Sequence, residues 1–183
     1  TMDEGQLRLK LAKHGQIILA DTLNDDSVDD FIHLFNYAIL LGRQSINIVL
    51  NSGGGVAHSA FAIVDTIQAA VKQEINVTIL GTGIVASGAL LVLQAGSERV
   101  ITPNTRLLLH SAERWASDES LKPSEASDLA RELTEVNRLA FKIVADRSGC
   151  NLDELVNRVA HGGVWLSPEE ALEMHLIDRI GYK

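Results

Sequence analysis

Two residues of this chain have the types that nucleophilic catalysis requires. Ser87 ends the small-residue run Gly81-Thr-Gly-Ile-Val-Ala-Ser87, followed by Gly88, and His110 ends the apolar run Arg106-Leu-Leu-Leu-His110. A serine hydroxyl is a weak nucleophile until a base takes its proton, and imidazole is the commonest such base. Residues 75–80 are β-rich, the small residues after them read as a turn, and residues 89–95 read as an apolar helix. Ser87 therefore falls at a strand-to-helix junction, where first-turn N–H groups face any developing negative charge. Taken alone, a serine there is the more ordinary helix cap, and a lone histidine at a strand end is an ordinary polar residue. An acid to orient the imidazole is not evident in the chain.

The weight of the pair comes from a third feature, Asn51-Ser52-Gly53-Gly54-Gly55. Glycines at a strand end let backbone approach a ligand closely and present N–H groups to it. Such donors suit an oxyanion or an extended peptide, although a tight strand-to-helix turn is an equal reading. A rival reading is that Gly81-x-Gly83-x-x-Ala86 is a loosened dinucleotide fingerprint. That motif requires an acidic residue ending the next strand. The sequence there is Arg99-Val-Ile-Thr-Pro-Asn104, with Glu98 before it, so the fingerprint is incomplete. His14, His33 and His175 have no ligand-like spacing; His58 follows the glycine loop and His161 precedes Gly162-Gly163, and neither is assigned a role. The single cysteine, Cys150, reads as a small apolar residue and offers no disulfide or zinc site. No cofactor or metal is called for.

The elements that must position these residues alternate. A buried strand at residues 16–20 precedes a helix that Asn24, Asp25, Asp26 and Ser27 open and Gly42 closes. A strand at 46–50, a helix at 56–72, the 75–80 strand, the Ser87 helix, and short strands near 99–101 and 107–109 follow. This alternation predicts a parallel sheet covered by helices. Residues 113–123 are polar and loop-like. A long helix then spans about 124–146, its apolar set (Leu129, Leu133, Val136, Leu139, Ala140, Ile143) on one side and Arg131, Glu132, Glu135 and Arg138 on the other. Half-polar and long, it is expected to project. A helix at 151–160, a break at His161-Gly162-Gly163, a helix opened by Ser167-Pro168-Glu169-Glu170, and a closing strand at 176–180 complete the chain.

Composition agrees with one soluble α/β domain over residues 1–183. The 183 residues are 46% hydrophobic but only 4% aromatic, so the core must be aliphatic. A net charge of −8 speaks against a nucleic-acid partner. No apolar run reaches the ~20 residues a bilayer needs, and no signal-peptide pattern opens the chain. A cytoplasmic protein, with no membrane partner, is expected.

Four ordered motifs then resemble the ClpP family of ring-forming serine peptidases. Residues 46–55 resemble its strand ending in Asn-Ser-Pro-Gly-Gly, and residues 81–88 its Gly-x-x-Ala-Ser-x-Gly serine elbow. Residues 102–110 resemble its Pro-Asn-x-Arg-x-x-x-His segment, and residues 165–178 its Phe-Met-x-Ala-x-Glu-Ala…Gly-Leu-Ile-Asp tail. The resemblance implies a ClpP/crotonase-like α/β spiral of ββα units with a projecting handle helix. It makes Ser87 the nucleophile and His110 the base, with oxyanion donors at the backbone N–H of Gly55 and Gly88. It implies a homo-oligomeric ring acting as a serine endopeptidase on short or unfolded peptides, with an AAA+ unfoldase or a ClpP-like paralogue as partner. Because the family's ring-to-ring contacts use the run that residues 157–164 replace here, single rings are expected over stacked pairs. The acyl-CoA enzymes of the crotonase type share the spiral but use glutamates on active-site helices, and the Ser87 helix carries none.

The chain departs from that pattern in three places. Gly53 replaces the loop proline, and the family's N-terminal segment is largely absent before Leu7. The family's triad Asp falls on Val159, within Asn157-Arg-Val-Ala-His-Gly-Gly-Val164. Valine accepts no hydrogen bond. Asn157, two residues earlier, offers an amide in its place, as in some cysteine peptidases. A subunit of low activity, or an inactive one assembled with an active paralogue, is the alternative. On this alignment, Val159→Asp is expected to raise kcat.

Overall fold

The computed structural model of the protein describes residues 3–113, 122–160 and 162–182. Parallel strands run in the order β1 (Gln16–Leu19), β2 (Ser45–Ser52), β3 (Asn76–Ala86), β4 (Glu98–Ile101) and β7 (Arg179–Ile180). Helices α2 (Asp25–Leu40), α3 (Ala57–Val71) and α4 (Gly88–Ala95) connect the first four of them. The alternation read from the sequence is thus a parallel sheet. Its core is aliphatic: Ile46, Ile48, Leu50, Ile63, Ile67, Ile79, Leu90 and Leu93 are all fully buried, with Phe31 stacked on Phe35 at 5.4 Å.

Strand β3 is the element that matters for the site. The glycines expected to form a turn continue it instead. Its first half pairs with β4 up to Gly81↔Ile101, and its second half pairs with β5 (Arg106–Leu109) from Ile84↔Arg106. Between the halves its register against β2 slips, and Gly83 takes φ +60°. A bulge of this kind bends a strand and sends it to a new neighbour. Asn51 fixes the bend, its Oδ1 accepting the Ile84 N–H at 3.1 Å. A Cβ on Gly83 would lie 2.9 Å from that same oxygen, so a glycine is required there. The bend, not a turn, delivers Ser87.

Three further elements differ from the sequence reading. Helix α1 (Glu4–Lys13) is capped by Asp3 with Gln6, yet only Ala12 is buried, so it carries no apolar period to read. Strand β6 (Val164–Leu166) pairs antiparallel with β5, and three residues are too few to show a strand period. The closing strand contracts to β7 because Asp178 pairs through its side chain. Its carboxylate takes the Arg99 backbone N–H at 2.7 Å and the guanidinium Nη2 at 2.7 Å. Arg99 is 3% exposed and also donates to Gln94 and to the His175 carbonyl, tying the C-terminus to β4.

The long helix is α5 (Pro123–Ser148), with Pro123 in its first turn and Gly149 closing it at φ +76°. Its buried residues, Val136, Phe141, Val144 and Ser148, all lie in its second half. The first half is exposed except for the half-buried Leu129 and Leu133, so α5 projects from the sheet as expected. Arg131 pairs with Asp128 and Arg138 with Glu135 along its polar face. Helices α6 (Leu152–Val159) and α7 (Pro168–Glu173) follow, the latter opened by the Ser167–Glu170 capping box. Most of the polar stretch expected as a loop, residues 114–121, and His161 lie outside the described residues. Among the described residues, no helix is long and apolar enough to cross a membrane.

Candidate active site

Ser87 stands where β3 meets α4, at φ 54° and ψ −127°. A non-glycine residue at positive φ costs about 1–3 kcal/mol and persists only where its surroundings impose it. Here they do. The Ser87 N–H donates to the Leu108 carbonyl at 3.0 Å, and its carbonyl accepts the Leu90 N–H at 2.9 Å. The side chain makes no capping hydrogen bond. The helix-cap reading therefore fails, and the half-buried hydroxyl is left for another partner. Helix α4 is buried throughout, so its N-terminal dipole, about half a positive charge, acts little screened.

The glycine loop lies directly against this serine. A Cβ on Gly54 would fall 2.6 Å from the Ser87 Cβ and 2.9 Å from the Gly88 nitrogen. Gly54 and Gly55 have φ +91° and +153°, whereas Gly53 has no positive φ and open space around it. Two of the three glycines are thus demanded by geometry. The loop is held on its far side by Leu23, whose N–H donates to the Gly54 carbonyl and whose carbonyl accepts the Val56 N–H. These bonds bracket Gly55 and leave its own N–H turned away from Leu23. Ser52, 2% exposed, holds the near side: its hydroxyl donates to the Asp21 carbonyl and accepts the Gly54 N–H at 3.1 Å. Neither Gly55 nor Gly88 donates its N–H to an acceptor among the described residues. A Cβ on Gly88 would lie 3.9 Å from the Gly55 nitrogen, so the two free donors sit together beside Ser87.

His110 leaves the end of β5, the strand whose Leu108 receives the Ser87 N–H. It is half-buried. Across from it, a Cβ on Gly163 would come within 3.1 Å of the His110 Cβ, so β6 enters with bare backbone there. No side chain among the described residues hydrogen-bonds the imidazole. Asn157 is not brought to it: the residue is exposed on α6, and its side chain makes no hydrogen bond among the described residues. Val159 is 4% exposed and packs in the hydrophobic core. An Asp at 159 would therefore have to enter apolar packing to serve His110.

Helix α5 touches both sides of this site. Asn137 Oδ1 accepts the Ala112 N–H at 2.6 Å, just beyond His110. Glu132 Oε1 lies 3.4 Å from His58 Nε2, in the first turn after the glycine loop. Sequence reasoning named Ser52 and Asn51 only as part of the glycine run and did not find what they hold, and it missed Asn137. The first two had a signal, since they adjoin the glycines. Asn137 had none, being one polar residue on a long mixed helix. No group of three His, Cys, Asp or Glu among the described residues is placed to hold a metal. The glycines of the dinucleotide reading form the β3 bend and not a loop at a helix start.

The family model for Clp protease matches residues 3–183. The chain belongs to the Clp protease family. It is 30% identical over 183 residues to the ATP-dependent Clp protease proteolytic subunit 2 of Treponema denticola, covering 98% of this chain and 88% of that protein. It is 28% identical over 176 residues to the proteolytic subunit 1 of Salinibacter ruber, covering 93% and 72% respectively. Among solved structures, a point mutant of ClpP1 from Listeria monocytogenes aligns with a TM-score of 0.84 at 22% identity, covering 97% of this chain and 96% of that one. The ClpP-like fold read from the four motifs is thereby the fold of this protein.

Proposed function

We propose that this Clp protease family chain is a serine-type endopeptidase acting on short or unfolded peptides. The observation that carries the reading is Ser87: strained, uncapped, at the N-terminal end of a buried helix, and packed against a glycine loop whose Gly55 N–H has no acceptor among the described residues. In this reading the Ser87 hydroxyl attacks the scissile carbonyl while His110 takes its proton. The resulting oxyanion is met by the N–H groups of Gly55 and Gly88, in a site whose donors are already fixed. The protonated imidazole passes its proton to the leaving amine, leaving an acyl-serine. Water then attacks that ester with His110 again as base, releasing the acid and restoring Ser87.

The projecting first half of α5 supports a ring-forming homo-oligomer, with a single ring as the working form. An AAA+ unfoldase suits the supply of unfolded substrate. A second reading, an inactive subunit paired with an active paralogue, is favoured by one observation: His110 lacks a carboxylate partner among the described residues. Loss of the acid from such a triad costs about 10⁴-fold in kcat without removing the remaining catalysis. The reading with residual activity is therefore preferred. A fluorophosphonate probe followed by mass spectrometry tests it. The expected product is a single adduct on Ser87 that is absent in Ser87→Ala. A wild-type chain that forms no adduct and cleaves no peptide favours the inactive subunit.

A further inference from the structure

We infer that Asn137 is a positioning residue for the base, tying the His110 end of β5 to the long helix α5. The inference rests on the reading of Ser87 and His110 as nucleophile and base. The β5–β6 ladder ends at Leu109↔Val164, and the β3–β5 ladder ends at Ala86↔Leu108. His110 is thus the first residue beyond both ladders. Among the described residues, the next fixed point along the chain is the Ala112 N–H, held by Asn137 Oδ1 at 2.6 Å. The base is therefore clamped between a sheet on one side and a single side-chain bond on the other. The amide orientation follows from chemistry, since a backbone N–H only donates and must face the oxygen.

Why this bond matters follows from what His110 lacks. Where an acid holds the imidazole, the ring is oriented through its own nitrogen. Here no described side chain does this, so the ring depends on where the backbone puts its Cβ. On one flank Gly163 offers no side chain to brace it. On the other, the Ala112–Asn137 bond stops the segment from swinging away. Asn137 is half-buried, and Val136 beside it is buried, so the anchoring point on α5 does not itself drift. An apolar residue at 137 would leave the Ala112 N–H free and the base loosely placed. A displacement of about 1 Å in such a group can cost on the order of 10²-fold in rate.

The test compares Asn137→Ala with Asn137→Asp, which keeps an acceptor oxygen at the same reach. Three quantities are read: the rate of phosphonate labelling at Ser87, kcat and KM on a fluorogenic peptide, and hydrogen exchange at the Ala112 amide. Asn137→Ala is expected to slow labelling and kcat by roughly 10- to 100-fold with KM within about twofold. The Ala112 amide should lose protection, and Asn137→Asp should recover most of each. A merely structural role would instead lower activity only in proportion to the folded fraction, and the Tm would report it. Wild-type labelling and kcat in Asn137→Ala overturn the inference alone. A wild-type protein that does not label at Ser87 overturns the underlying reading of the site, and the inference with it.

Discussion

Replacing Gly54 by alanine adds one methyl group at the most crowded point of the site. That carbon would stand 2.6 Å from the Ser87 Cβ, 2.7 Å from the Ala86 carbonyl oxygen and 2.9 Å from the Gly88 nitrogen. Comfortable contact between carbons begins near ~3.5 Å, so something must shift by about 1 Å. Neither side yields easily: Ala86 and Gly88 are buried, and the loop is pinned by Leu23 and Ser52. The backbone adds its own cost, since φ +91° at Gly54 suits no L side chain. Left-handed backbone costs about 1–2 kcal/mol and overpacking about 1–3 kcal/mol, so a loss of roughly 2–5 kcal/mol in stability is expected. The effect on rate is larger than the folded fraction explains. Pushing Ser87 from the glycine loop by about 1 Å separates the nucleophile from its oxyanion donors, worth on the order of 10²-fold in kcat. The assay is kcat on a fluorogenic peptide at a temperature where circular dichroism shows the variant folded. Gly53→Ala is the control, because a Cβ there meets nothing within 4 Å. A Gly54→Ala protein with the Tm and kcat of Gly53→Ala would refute the placement of the loop against Ser87.

Further outcomes are expected elsewhere. Ser52→Ala deprives the Asp21 carbonyl of its donor and the Gly54 N–H of its acceptor, which should cost about 1–3 kcal/mol in urea unfolding and lower kcat with KM held. Asp178→Ala leaves Arg99 buried without its carboxylate and should cost about 3 kcal/mol, measured by the same unfolding curves. Burial alone would raise the Asp178 pKa, but hydrogen bonds and charge from Arg99, with Arg147 nearby, outweigh it and hold the carboxyl below its usual range. A depressed carboxylate pKa contributes stability that is present above the unfolded value of about 3.9 and lost as pH falls through the folded value. Stability should therefore drop below about pH 4 in the wild type, and that part of the slope should vanish in Asp178→Asn. Val159→Asp buries a carboxylate in the core, so a lowered Tm and no gain in kcat are expected; a kcat gain would mean that residue 159 reaches His110 after all.

How far the sequence alone reached can be judged residue by residue. The parallel α/β layout was legible because strands and helices alternate with clear apolar periods, as at residues 28–40 and 46–50, and because Asn24, Ser167 and Gly149 mark helix ends by chemistry that needs only near neighbours. The four motifs determined the family, since they are runs of adjacent residues whose types and order survive reading in one dimension. Ser87, His110 and the glycine loop belong to those runs. What the sequence left open was every relation between residues far apart in the chain. Whether Ser87 caps its helix depends on a backbone angle that Leu108 imposes from β5 and Gly54 from the glycine loop. Whether Gly81–Ala86 turns or bends depends on Asn51 and on the change of partner from β4 to β5. Val159 stands at the aligned position of an acid and Asn157 two residues before it, yet one is buried in the core and the other exposed, because each step along a helix rotates a side chain by about 100°. Asn137 meets Ala112 only because α5 returns across the end of β5, a contact between segments 25 residues apart that no local pattern encodes.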